Sequence, residues 1–177
     1  MAKSDLRSIQ APLKDRYRTD PKSAVITLRA GGRIDDPEGV SCNVETGRAL
    51  VAAGLHPATG GDGSLVCSGD MLLQALVACA GVTLRAVAAG TGIEVSGGQV
   101  RAEGDLDFRG TLGVDREAPV GFMQIRLAFD LDTRASAEEL ATLKKLTERY
   151  CVVYQTLRAG TPISSSFASR DIPHTQV

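Results

Sequence analysis

Hydrophobic and polar positions change their period several times along this chain. From Gly121 to Leu131 they alternate strictly, with Phe122, Gln124, Arg126 and Ala128 on one side and Met123, Ile125, Leu127 and Phe129 on the other. A period of two predicts a half-buried antiparallel strand. Residues 93–107 alternate less cleanly and predict one long or bulged strand. Earlier, 24–30 is rich in β-formers and predicts a strand closed by Gly31-Gly32-Arg33; 39–44 and 48–52 predict two more. Residues 69–89 are instead apolar on nearly every face, which predicts a buried helix. Ser68 is its expected N-cap, Asp70 complements the dipole in its first turn, and Gly90 and Gly92 stop it. Ser136-Ala137-Glu138-Glu139 is a capping box. The helix it opens sets Leu140, Leu143, Leu146 and Tyr150 on one face. That helix either runs through Cys151 to Leu157 or breaks and restarts near Tyr150. Residues 162–169 predict a last short strand.

This order of elements predicts an α+β fold with mostly antiparallel sheets around two long helices. Residues 1–22 are polar, carry Pro12 and Pro21, and form an expected N-terminal arm; 23–177 form a single domain. The loop from Leu55 to Val66 carries Pro57 and Gly60-Gly61-Asp62-Gly63, a length that often serves function. A small sheet covers one side of the 69–89 helix, yet a helix apolar all round must be enclosed. The missing cover predicts an obligate dimer.

Composition narrows the functions. The 177 residues are 43% hydrophobic and 23% charged, which fits one globular domain. A net charge of -1 gives no case for nucleic acid or an anionic membrane as partner. Aromatics at 4%, with no Trp, argue against a base-stacking platform. The first ten residues lack the apolar stretch of a secretory signal. Gln74, Thr83 and Arg85 interrupt the apolar helix, so a core helix is expected rather than a membrane span. The expected location is cytoplasmic, where four cysteines are free or catalytic rather than structural disulfides. The histidines, His56 and His174, both sit in Pro-containing loop sequence, and no Cys-x-x-Cys occurs, so neither a metal site nor a Cys–His hydrolase is expected.

The chemistry left is that of thiols. Cys79 lies in the apolar helix and Cys151 near the end of the second one. Single cysteines in such settings are usually core packing. A useful thiolate forms beside a cation or a helix N-terminus. Cys79 lies about ten residues into its helix and needs an imported cation, for which Arg33 is the favoured candidate, with Arg85 and Arg149 behind it. Cys151 gains from a helix N-terminus if the chain restarts there, so local physics slightly favours Cys151 as the acidic thiol. Cys42 and Cys67 are taken as structural, Cys67 less firmly because it adjoins the Gly-rich loop.

Three features in order, Gly31-Gly32-Arg33, Ala78-Cys79 in a helix opening Ser68-Gly69-Asp70, and Cys151 on the last helix, resemble the OsmC/Ohr family of osmotically inducible and organic hydroperoxide resistance proteins. The resemblance covers about residues 23 to 170. It implies an OsmC-like fold, an intertwined homodimer with the cysteine helices central, and cofactor-free thiol peroxidase chemistry in oxidative or osmotic stress. Cys79 would attack an organic hydroperoxide, Cys151 would resolve the sulfenic acid, and an external dithiol of lipoyl type would reduce the disulfide. Arg33 stands where the family places the arginine that pairs with thiolate and peroxide. Asp70, Leu72, Leu73 and Leu76 would bind substrate, the leucines with Val77 as an apolar wall suited to alkyl peroxides. The family's Pro-Glu before the helix is absent; Asp70 is shorter and one position closer to the cysteine. That departure keeps a second reading open, a non-catalytic dimer binding a hydrophobic or electrophilic small molecule.

Overall fold

The computed structural model describes residues 19, 31–33, 41–45, 50–113 and 115–168. One sheet has the order β1-β2-β3-β4, built from Gly31–Arg33, Ser41–Glu45, Leu50–Gly54 and Val66–Cys67. Strands β1, β2 and β3 are antiparallel, with Arg33 opposite Asn43 and Val44 opposite Val51; β4 runs parallel to β3. The expected turn at Gly31-Gly32-Arg33 is therefore strand, because Asn43–Glu45 supply the ladder that glycines alone would not hold. The strand expected over 24–30 and the arm over 1–22 lie outside the described residues, Thr19 apart.

The second sheet pairs β5 (Gly97–Asp105) with β6 (Gln124–Asp132), antiparallel along their whole length. Burial alternates along β6 as the sequence pattern demands: Ile125, Leu127, Phe129 and Leu131 turn inward, while Arg126 and Asp130 turn outward. Arg126 pairs there with Asp105 and Glu103 across the exposed face. Gly104 lets the Phe122 ring lie against the backbone, where a Cβ would collide with the ring. Strand β5 is shorter than expected, because Ile93 and Val95 leave the ladder and bury their side chains in the core. A short helix, α2 (Phe108–Thr111), occupies part of the β5–β6 connection.

The long helix α1 spans Ser68–Thr91. Cys67, not Ser68, is its N-cap, and Gly92 at φ 78° ends it, donating its N–H to the Ala88 carbonyl; Gly90 lies within the last turn. By length and composition α1 could cross a membrane. Its line Leu76, Ala80, Leu84 and Ala88 is nevertheless buried inside the protein. Helix α3 (Ala137–Tyr150) begins at the expected capping box: Ser136 Oγ accepts from the Glu139 N–H at 3.2 Å, and Glu139 Oε2 accepts from the Ser136 N–H at 2.7 Å.

The buried line of α3 is rotated from the expected face. Leu143 and Thr147 are buried and, one turn further, so is Cys151, whereas Leu140 and Tyr150 are exposed. Two ridges with a spacing of four, one on α1 and one through α3 to Cys151, thus face each other, the usual way helices interlock. Leu84, Ala88, Ile93, Val95 and Leu143 form the core cluster, backed by Phe129 and Leu131 of β6.

After Tyr150 the helix breaks. Cys151 takes an extended conformation (φ -73°, ψ 110°), ending α3 and capping α4 (Val152–Ala159). Tyr150 through Tyr154 are aromatic, β-branched or cysteine, all weak helix formers, and a break is least costly there. The Gln155 side chain donates to the Glu148 carbonyl at 2.7 Å and fastens the two helices together. Residues 161–168 form no strand, contrary to expectation, and Ile163 and Phe167 are 94% and 98% exposed. A strand needs a paired edge, and this segment pairs with neither sheet.

Candidate active site

The break between α3 and α4 positions the thiols. Cys79 sits midway along α1, half-buried, on the side that meets the start of α4. Cys151 caps that helix and is 1% exposed. Each thiol shifts the acidity of the other, and both are free.

Their surroundings separate their acidities. Burial pushes the Cys79 thiol up, but the Val153 amide, the Cys151 thiol, the Val152 amide and the Thr83 hydroxyl all favour its anion, and the balance falls below an ordinary cysteine. Burial pushes Cys151 up as well. The amides of Tyr154 and Val153 oppose this, but the charge and hydrogen bonding of Cys79 hold it above the ordinary value. The sequence-based preference for Cys151 as the acidic thiol is overturned. The helix does restart at Cys151, but its first amides serve Cys79 of another helix as well, and Cys79 in turn holds Cys151 up.

The other expected site residues are dispersed. Arg33 lies in β1, and its side chain is outside what the structure describes. Arg85 Nη1 donates to the Val95 carbonyl at 2.6 Å and is held at the far end of α1. Arg149 is exposed in the last turn of α3. Neither acts on Cys79. Asp70 is exposed at the first turn of α1 and makes no ion pair among the described residues. It lines two clefts with His56, Cys67 and Leu73.

The leucines of the expected substrate wall face different ways. Leu73 and Val77 join the cleft beside Cys67, Leu76 lines a cleft against β6, and Leu72 is exposed. A helix turns 100° per residue, so consecutive pairs such as Leu72-Leu73 and Leu76-Val77 cannot all share one wall.

Sequence reasoning missed the Val152 and Val153 amides and the Thr83 hydroxyl. Thr83 had a signal, lying one helical turn from Cys79 on the same face. The backbone amides had none, since any residue but proline supplies one. Also unforeseen was the loop before α1. His56 Nδ1 accepts from the Ala58 N–H at 3.0 Å, capping a 3-10 turn at Pro57–Thr59, and its ring stacks on Phe108 with centroids 5.0 Å apart. No cluster of metal-ligating side chains occurs among the described residues.

The architecture and the site together define an α+β protein with two thiols gathered at a helix junction. The family model for OsmC-like protein matches residues 61–166, more than half of the chain. The chain belongs to that family. Its fold is similar to that of an OsmC-like protein from Mycoplasma pneumoniae (16% identity, TM-score 0.62, 75% of this chain and 88% of the other). It is also similar to an organic hydroperoxide resistance protein from Elizabethkingia anophelis (13% identity, TM-score 0.60, 76% and 90%). A third similar structure is an organic hydroperoxide resistance protein OsmC from Legionella pneumophila (16% identity, TM-score 0.59, 76% and 91%). No curated protein matches the chain.

Proposed function

We propose that the protein is a thiol-dependent peroxidase that reduces organic hydroperoxides in peroxide-stress defence. The observation that carries this reading is the packing of α1, which bears Cys79, against α4, which Cys151 caps, so that each thiol shifts the acidity of the other and the Val152 and Val153 amides favour the Cys79 thiolate. Family membership and similarity to proteins described as organic hydroperoxide resistance proteins support it.

In this reading the Cys79 thiolate attacks the distal peroxide oxygen and the O–O bond breaks. The alkoxide leaves, takes a proton from solvent and departs as the alcohol, and Cys79 becomes a sulfenic acid. The Cys151 sulfur then attacks the Cys79 sulfur and expels its oxygen as water, forming a disulfide. An external dithiol returns the two electrons. Cys151 needs no low pKa for this, because it acts only on an already electrophilic sulfur beside it. Its burial keeps it from meeting peroxide first. Arg33, carried by the family pattern, is the proposed cation for the peroxide.

The proposed unit is a homodimer. Helix α1 leaves Leu72, Ala75, Ala78 and Val82 exposed, Val82 to 72%, and an apolar face of that extent on a central helix suits a second copy.

The test is to titrate the reduced protein with cumene hydroperoxide and count free thiols. Two thiols per chain disappear in the wild type and none through this reaction in Cys79→Ser. Cys151→Ser stops at a sulfenic acid that dimedone labels. Retention of all thiols at millimolar peroxide retires the enzyme. One observation favours the second reading, a non-catalytic binder of small electrophiles at the same thiol: no described cation acts on Cys79. That binder would lose Cys79 alone to an alkylating electrophile and form no disulfide with peroxide.

A further inference from the structure

The chain from Thr147 to Leu157 holds neither proline nor glycine, yet its helix breaks at Cys151. Without those residues, a sharp break arises where a side chain enters the ladder of backbone hydrogen bonds. Here that side chain is Gln155. In an unbroken helix the Glu148 carbonyl would accept from the N–H four residues on, that of Val152. It accepts instead from Gln155 Nε2 at 2.7 Å. A carbonyl can only accept, so the amide nitrogen of Gln155, and not its oxygen, faces Glu148.

The rungs on either side are those of ordinary helix. The Cys151 N–H donates to the Thr147 carbonyl at 2.9 Å, and the Gln155 N–H donates to the Cys151 carbonyl at 3.0 Å. The break is confined to the rungs between them, with Cys151 as its pivot at ψ 110°. The amides left over there are not idle. Those of Val152 and Val153 favour the Cys79 anion, as do Cys151 and Thr83, and no charged side chain among the described residues acts on that sulfur. The charged groups nearest Gln155 are Glu148, Arg149 and Arg158, which line a groove with it between α3 and α4. An amide has one hydrogen, so the Val152 N–H serves either the Glu148 carbonyl or Cys79.

We propose that Gln155 is a positioning residue for the thiol site: its side-chain amide takes the place of the Val152 N–H at the Glu148 carbonyl, keeps the helix broken at Cys151, and so leaves the first amides of α4 to Cys79. A plain helix cap would add stability and nothing more. The role rests on the peroxidase reading for its part in the reaction, and not for its effect on the Cys79 thiol.

The test is Gln155→Leu, similar in size and without a donor, in the full reduced chain. The Val152 N–H can then close on the Glu148 carbonyl. The pH midpoint of Cys79 alkylation by iodoacetamide rises, by on the order of one pH unit for amides lost from the anion. The backbone Cα chemical shift of Cys151 moves towards its helical value, and circular dichroism confirms that the variant is folded. The deciding arm is Val152→Pro, which has no N–H to give to Glu148. In that background Gln155→Leu leaves the Cys79 midpoint where the proline alone puts it. Two outcomes overturn the proposal: an unmoved midpoint in folded Gln155→Leu, or an equal further rise in the proline background, which would make Gln155 a packing residue. If the wild type consumes no cumene hydroperoxide while these shifts occur, the peroxidase reading falls and the role of Gln155 stands. If it consumes peroxide while the Gln155→Leu midpoint stays put, Gln155 alone falls.

Discussion

At the scale of single residues, the notable result is that two cysteines in similar aliphatic sequence acquire opposite acidities. Burial acts on both in the same direction, so it cannot be the cause of the difference. Amides of α4 favour both anions, so the difference lies in the coupling between the two sulfurs, which lowers Cys79 and raises Cys151. Alkylation by iodoacetamide across pH reads this directly. Thiolate is the reactive form, so the Cys79 rate should reach half its maximum below the pH of an ordinary cysteine, and the Cys151 rate above it. The coupling makes the shifts reciprocal. Cys151→Ala removes a group that favours the Cys79 anion and should move the Cys79 midpoint up. Cys79→Ala removes the neighbouring charge and should move the Cys151 midpoint down. Midpoints that stay put in both variants would mean the thiols do not interact.

At the scale of elements, the break between α3 and α4 turns an ordinary helix end into part of the site. Proline is well suited to the first position of a helix, and the residue before it must be extended, as Cys151 already is. Val152→Pro should therefore keep α4 while deleting one amide that acts on Cys79. The expected result is an unchanged circular dichroism spectrum and slower Cys79 alkylation at neutral pH, by less than about tenfold because the Val153 amide remains. At the other end of α3, Ser136→Ala should cost about 1 kcal/mol in chemical denaturation, the usual worth of an N-cap. Glu139 in the same box has its carboxyl lowered, with the Ser136 amide and hydroxyl as the main causes. A depressed carboxyl stabilises the fold above its unfolded pKa and loses that effect as pH falls through the folded one. The penalty of Glu139→Gln should accordingly shrink in acid, below the ordinary glutamate range.

At the scale of the whole molecule, two i, i+4 ridges lock α1 to the α3–Cys151 line, and β6 closes the core behind them. Leu84→Ala cuts into that contact and should destabilise by about 2–5 kcal/mol, the range for a buried leucine. The opposite face of α1 is where the proposed dimer is tested. Sedimentation velocity at micromolar concentration should give a dimer for the wild type and a monomer for Val82→Glu, which puts a charge on the exposed apolar face. A folded wild-type monomer would sink the dimer.

The capping box, the alternation of β6 and the apolar length of α1 were all legible in the sequence, because each is set by neighbours within one or two turns. So was membership of the OsmC-like family, through the ordered motifs around Arg33, Cys79 and Cys151. The rest depended on contacts between distant segments. Nothing local says that Gly31–Arg33 finds a ladder, that the buried side of α3 runs through Thr147 rather than Tyr150, or that Leu73 and Leu76 open onto different clefts. The acidity of the thiols is the sharpest case. The sequence placed a helix start at Cys151, but a helix start is a set of amide donors pointing into space. Only the packing of α1 against α4 decided that these amides act on Cys79 as well, and that Cys79 is the thiol whose anion is favoured.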